Sequence, residues 1–308
     1  MQGDARTMRT LNFDPPVHIA LLGATRSVAH ARRYLVDIGI TVHDTVTPEC
    51  EAALIAGEGG PDLERAAAGV KLMVRLWDFQ VHRRGTGLQA SMVSGVSCVM
   101  GFKDRPPLAL PAEIPEKWCA LMGAAIALSG GLAVEESAPA TGQHVVDVST
   151  AEILRSFADQ NFANHKSYPD SWSRNGRVTP YHGGIYPQGF FQCKDGYVAV
   201  VGRSKADWQM ILAALGNPPW AEGRLLDPVH LAQHPDEVDA LFLAELARFT
   251  RDDLLESAIK TGATFAPVYS PEETRARDLV PGDLFDTAGA ALLPFVFTPF
   301  SAVAPTRA

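Results

Sequence analysis

Two carboxylates, Glu113 and Glu116, flank Pro115 at the head of an apolar, small-residue stretch that runs from Glu116 to about Gly131. Proline just inside a helix start with an acid in the first turn predicts a helix beginning there. An acid so placed has three roles open to it: complement to the helix dipole, nucleophile toward an activated carbonyl, or general acid/base. His182 stands in Tyr181-His182-Gly183-Gly184 and is the nearest candidate for proton transfer near neutral pH, with Gly183-Gly184 as a possible lid hinge. Gly23-Ala24-Thr25-Arg26 follows an apolar run, where a strand-to-helix turn could show amides and a guanidinium to an anion. It lacks the G-x-G-x-x-G spacing of a dinucleotide site, so a structural turn is the expectation, with Arg26 able to meet a phosphate.

The charge balance of 35 acidic against 27 basic side chains, −8 net, argues against a nucleic-acid surface, which needs clustered positive charge. No run reaches the roughly 20 apolar residues of a membrane helix. Cys50, Cys98, Cys119 and Cys193 are far apart with no C-x-x-C pair, so neither a disulfide framework nor a metal site is expected. No secretory leader is read before Asn12, which makes a reducing cytoplasm the expected compartment.

The elements that must position these groups follow from periodicity. Val17–Gly23 reads as a buried strand, Ser27–Ile38 as a helix and Ile40–His43 as a second strand, a βαβ opening. A polar stretch around Gly57–Asp62 precedes a buried strand over Lys71–Phe79, then small-residue helices near 87–101 and 116–131. Val145–Val148 predicts a strand and Thr150–Asn164 a helix, and the texture of Tyr168–Gly189 is that of a linker or active-site loop. A hairpin is expected at Gly189–Val201 with its turn at Lys194-Asp195-Gly196, and Gly196 in the positive-φ place. Trp208, Ile211, Leu212 and Leu215 form one helix face, and Thr250 with Asp253 predicts a helix cap.

The order of these pieces resembles the class III CoA-transferases of the CaiB/BaiF type, a family that includes formyl-CoA transferase and α-methylacyl-CoA racemase. Arg33–Val42 is similar to the family's helix-to-strand element, and Thr141-Gly142-Gln143-His144-Val145-Val146-Asp147-Val148-Ser149 with Glu152 resembles its T-G-x-G-Q-x-V-D-V-S-x-x-E segment. Tyr186-Pro187, Gly189-Phe190-Phe191 and Cys193–Val198 resemble Y-P-x-G-x-Y-x-C-K-D-G-Y-V, and Ala266–Glu273 a late A-P-V-x-S-x-x-E element. The resemblance implies an α/β fold: a Rossmann-like large domain from both chain ends (1–184 and 271–308), a smaller α+β domain at 185–270, and an interlocked homodimer.

It also implies chemistry on an acyl-CoA or its carboxylic acid, with CoA as substrate and no tightly bound cofactor. The family's attacking aspartate has no counterpart. Glu116-Lys117 stands where the family has Asp-Lys, and counting back from Ala127-Leu128 selects Glu113 instead. Glu116, Glu113 and His182 are therefore the candidate catalytic residues, and Arg26, Lys117, Tyr181, Gly183 and Gly184 the candidate CoA-binding ones. The racemase set is broken, with Thr86, Glu116 and Lys205 at its three places, and the family's CoA-contacting segments have no counterpart between Val42 and Lys71. Three functions follow as expectations: a CoA-transferase-like enzyme, a non-catalytic subunit pairing with a complete homologue, and a lyase or dehydratase using Glu or His as acid/base.

Overall fold

The computed structural model describes residues 18–111, 113–133, 142–165, 174, 176–178 and 184–277. They divide into two compact units: residues up to Gly95 with Ala109–Ser156, and Val96–Leu108 with residues from Phe157 onward.

The first unit is built on β1 (His18–Leu22), α1 (Arg26–Asp37), β2 (Thr41–His43), β3 (Ala52–Ala56), α2 (Gly60–Ala66), β4 (Leu72–Trp77), α3 (Gly87–Val93), α4 (Ile114–Ala133) and β5 (His144–Ser149). The five strands form one sheet in the order β2-β1-β3-β4-β5, each neighbouring pair parallel. Side chains alternate between faces along a strand. Ile19 and Leu21 with Ala52, Leu54, Leu72, Val74 and Leu76 therefore pack on one side, against Val28, Ala31 and Leu35 of α1 and Cys119, Ala120, Ala124 and Ala127 of α4. Ala20, Leu22, Ala53, Ile55 and Met73 pack on the other with Ala67 and Val70. A parallel sheet covered on both faces needs such strands, apolar at nearly every position.

β3 was not legible. The sequence reading assigns no element between His43 and the polar stretch at Gly57–Asp62, and so passes over a central strand whose five residues, Ala52-Ala53-Leu54-Ile55-Ala56, are all buried. Three alanines give no strand propensity, and with both faces covered no alternation marks the segment.

α4 lies close on the sheet because residue 123 is glycine. A β-carbon there would run into Leu76 Cδ2 and come within 3.6 Å of Leu54 Cδ2. The polar residues resembling the family's T-G-x-G-Q segment are structural. Gln143 Nε2 donates to the carbonyls of Ala67 and Val70, both at 3.0 Å. Asp147 accepts from Arg75 Nε at 2.8 Å and Trp77 Nε1 at 2.7 Å. Burial pushes the Asp147 carboxyl up, and these hydrogen bonds outweigh it and hold it below its ordinary value. Ser149 Oγ accepts the Glu152 amide at the start of α5 (Thr150–His165).

In the second unit, β6 (Gln188–Cys193) and β7 (Gly196–Val201) pair antiparallel, and β8 (Phe265–Pro267) joins β7. Cys193 pairs with Gly196, so the turn is the two residues Lys194-Asp195 and Gly196 opens β7, one position earlier than expected. Glycine is needed there for close approach: a β-carbon would lie 3.1 Å from Nε of Arg251. The helices are α6 (Lys205–Ala214), α7 (Pro228–Gln233), α8 (Asp236–Leu246), α9 (Arg251–Thr261) and α10 (Pro271–Ala276). Trp208, Ile211, Leu212 and Leu215 are core, as their spacing required, beside Tyr186, Phe191 and Phe242. Thr250 and Asp253 form the expected capping box at α9. Among the described residues, no helix is long and apolar enough to cross a membrane.

Candidate active site

β1 and β4 flank β3 in the sheet, and the groups of chemical interest gather beyond the C-terminal ends of these strands. Asp78 follows β4 directly. It is buried, and its two oxygens accept the backbone amides of Arg26 (3.0 Å) and Ser27 (3.1 Å). The amides of the first βα turn, read as a possible anion seat, are thus filled by the chain's own carboxylate. The Arg26 side chain is exposed, and any role toward a phosphate rests on its guanidinium alone.

α4 begins where the sequence placed it. Glu113 carries the first helical carbonyl, accepting from the Lys117 amide at 2.9 Å, and sits at φ 68°, left-handed backbone that glutamate rarely adopts. Its side chain is half-exposed. Glu113 Oε2 lies 3.6 Å from His30 Nε2 on α1 and 3.9 Å from Lys117 Nζ. Burial lowers the His30 pKa, and the raising effect of Glu113 does not overcome it. The His30–Glu113 contact is therefore not a standing ion pair at neutral pH.

Glu116, one turn in, is 3% exposed. Cys119, three residues on and on the same face, shows why. Its Sγ donates to the carbonyls of Val148 (3.5 Å) and Trp77 (3.7 Å), which turns this side of α4 toward the strand ends. Burial pushes the Cys119 thiol up to about 11, which leaves it an inert core group.

The Glu116 carboxylate meets the start of α3. Oε1 accepts the Gly87 amide at 3.0 Å, while Oε2 is buried without a hydrogen-bond partner among the described residues. Only glycine permits this approach, since a β-carbon on residue 87 would collide with the carboxylate, Oε1 being 2.6 Å away. Thr86 fixes the amide by capping α3. Its Oγ1 accepts the Gln89 amide at 3.4 Å, and Gln89 Oε1 accepts the Thr86 amide at 3.0 Å.

Residues 79–285 match the profile of CoA-transferase family III, two-thirds of the chain. The chain belongs to that family. It is 24% identical over 195 residues to a succinyl-CoA–D-citramalate CoA-transferase of Chloroflexus aurantiacus, covering 62% of this chain and 46% of that protein. The chain thus spans about half the length of this relative. Its fold matches the crystal structure of a CaiB/BaiF family protein from Brucella suis with a TM-score of 0.72 at 16% identity, covering 92% of this chain and 93% of the other. A hypothetical protein from Mycobacterium tuberculosis matches with a TM-score of 0.70 at 15% identity, over 93% and 94%.

Set against this family's chemistry, the structure brings together Glu116, Glu113 and Lys117, with His30 and Gly87 as neighbours. Thr86, at the place of the racemase histidine, is one residue from the Glu116 anchor. Lys205 opens α6 in the second unit, where Gly184 also lies, buried and at φ 98°. Tyr181, His182 and Gly183 lie outside the described residues. Asp78, His30 and Gly87 were not read from the sequence. The T-x-x-Q capping pattern at Thr86–Gln89 could have marked the α3 start; nothing local marks Asp78 or His30.

Proposed function

We propose that this family member acts on an acyl-CoA thioester or the corresponding carboxylic acid, with Glu116 as the residue that accepts the acyl group. The observation that carries the reading is the unequal surroundings of the two carboxylate oxygens. A carboxylate kept only as a structural latch is expected to satisfy both of them, because an unpaired buried acceptor is destabilising by roughly 1–3 kcal/mol. Here Oε1 is anchored by Gly87 and Oε2 accepts no hydrogen bond from the described residues.

In the proposed reaction Oε2 attacks the thioester carbonyl, the C–S bond breaks, and CoA leaves as thiolate from a mixed anhydride. The thiolate then attacks the Glu116 carboxyl carbon and releases the first acyl group as its acid, leaving a glutamyl-CoA thioester. An acceptor carboxylate reverses the two steps and departs as the new acyl-CoA. The first turn of α4 supplies the positive end of a 20-residue helix beside the developing oxyanion. Because Oε2 is buried, attack requires the side chain to swing from Gly87 or the start of α3 to open. The same reading includes the family's interlocked homodimer, or pairing with a complete homologue.

A second reading uses Glu113 and His30 for acid/base chemistry, as a lyase or dehydratase would. It is favoured by their 3.6 Å separation and by a histidine held toward its neutral, proton-accepting form.

Succinyl-CoA and a panel of carboxylic acids, with hydroxylamine trapping and peptide mass mapping, test the proposal. CoA exchange with an adduct at Glu116 is the expected result. Turnover without an adduct, lost in His30→Gln, would transfer the assignment to the acid/base pair. Neither turnover nor stabilisation by CoA would leave a scaffold subunit.

A further inference from the structure

At the opposite end of the sheet, where β1 begins, a second group of side chains converges that the proposed chemistry does not use. β1 and β2 run parallel, with His18 opposite Thr41 and Ala20 opposite His43. Residues two apart share a face, so His18 and His43 project from the same side of the sheet, one step apart along the strands. His18 Nδ1 and His43 Nε2 are 3.0 Å apart. The connection from β2 to β3 passes beside them, its Glu51 amide donating to the His18 carbonyl at 3.4 Å. Two residues before that anchor, Glu49 brings Oε2 to 3.6 Å from His18 Nδ1. One ligand atom from each of the three residues lies within 4.8 Å of the others.

We infer that His18, His43 and Glu49 form a binding site for a divalent first-row cation, of which zinc is the representative. One proton bridges at most two of these three atoms, whereas one cation serves all of them. The spacing suits zinc. With Zn–N bonds of about 2.05 Å the nitrogens 3.0 Å apart subtend about 95° at a shared ion. With a Zn–O bond of about 2.1 Å the 3.6 Å separation subtends about 120°. Two imidazoles, one carboxylate and a position open to water make up an ordinary four-coordinate zinc set. Glu49, 67% exposed, is free to swing in and close the third edge. The ion would bind edge strand β2 and the following connection to β1.

The test is calorimetric titration of Zn2+ into tag-free protein stripped with EDTA and dialysed. One equivalent is expected to bind and to raise the thermal midpoint, with affinity reduced a hundredfold or more in His43→Ala and at least tenfold in Glu49→Gln. His230 on α7 and His234 just after it, whose rings lie 4.9 Å apart, are the competing pair. The double variant His230→Ala/His234→Ala is expected to titrate as the parent does. Absence of one-equivalent binding overturns the inference, as does binding that persists in His43→Ala and Glu49→Gln or is lost only in the α7 variant. Glu49→Gln alters an exposed loop residue, so the test stands even if His43→Ala fails to fold.

Discussion

Glu116 and Gly87 are matched to each other: the amide of one donates to the carboxylate of the other at 3.0 Å, across a gap that a single methyl group would fill. They stand 29 positions apart at the two helix starts, and the absent side chain of residue 87 sets where the acid rests.

Gly87→Ala is expected to drive the carboxylate off its anchor. A displacement of about 1 Å in an attacking group lowers a rate on the order of 100-fold, and the overpacked methyl destabilises by about 1–3 kcal/mol. Acyl-CoA exchange rates and denaturant midpoints of the two proteins check both effects. An unchanged rate would detach Gly87 from the chemistry.

Glu116→Gln keeps the shape and an oxygen for the Gly87 amide while removing the charge. Adduct formation with hydroxylamine is expected to vanish. Stability is expected to hold or to rise by about 1 kcal/mol, because a buried amide is less demanding to desolvate than a buried carboxylate. Unfolding curves read this directly, and a loss of several kcal/mol would make Glu116 a structural latch.

Asp78→Ala leaves the amides of Arg26 and Ser27 without their acceptor. The expected loss is about 2 kcal/mol, at the upper end for a helix cap because both bonds involve a carboxylate. Asp78→Asn retains one good acceptor and should lose less. Urea titration of the three proteins orders them.

His30 gives the protein a pH dependence of known sign. Its folded pKa lies below the unfolded value of 6.5 because burial disfavours the imidazolium. Below pH 6.5 the unfolded chain therefore binds a proton that the folded chain resists, and stability falls as pH drops toward the folded pKa. Above 6.5 both states are neutral and this contribution is flat. His30→Gln is expected to weaken the decline between pH 6.5 and 5 in a series of denaturation midpoints. Parallel profiles for variant and parent would refute it.

Much of the fold was legible because its signals are local. The run before Gly23, the helix after it, the Lys71–Phe79 strand and the Thr250–Asp253 cap each carry their pattern within a dozen residues. The family likeness rested on turn and core residues such as Gln143 and Asp147, whose bonds fix the sheet. β3 was hidden by its alanines. At the site, the helix-start acids were readable from Pro115 and their spacing, whereas the burial of Glu116 depends on Gly87 and on Cys119 reaching the ends of β4 and β5. The choice between Glu113 and Glu116, open in the sequence, becomes a contrast between a half-exposed acid on left-handed backbone and a buried one whose second oxygen has no hydrogen-bond partner among the described residues.

The contact of Asp78 with the first βα turn bears on how such openings diversify. In a nucleotide-binding chain that helix start is a socket, and the plug arrives with the ligand. Here the residue after β4 is a plug carried by the chain itself, 52 positions from the socket it fills. Removing it by Asp78→Ala would recreate a vacancy of the right shape and sign for formate or sulfate, so lost stability should return on adding the salt. A turn that holds its own anion is a closed joint, and ligand recognition is left to the surfaces around it.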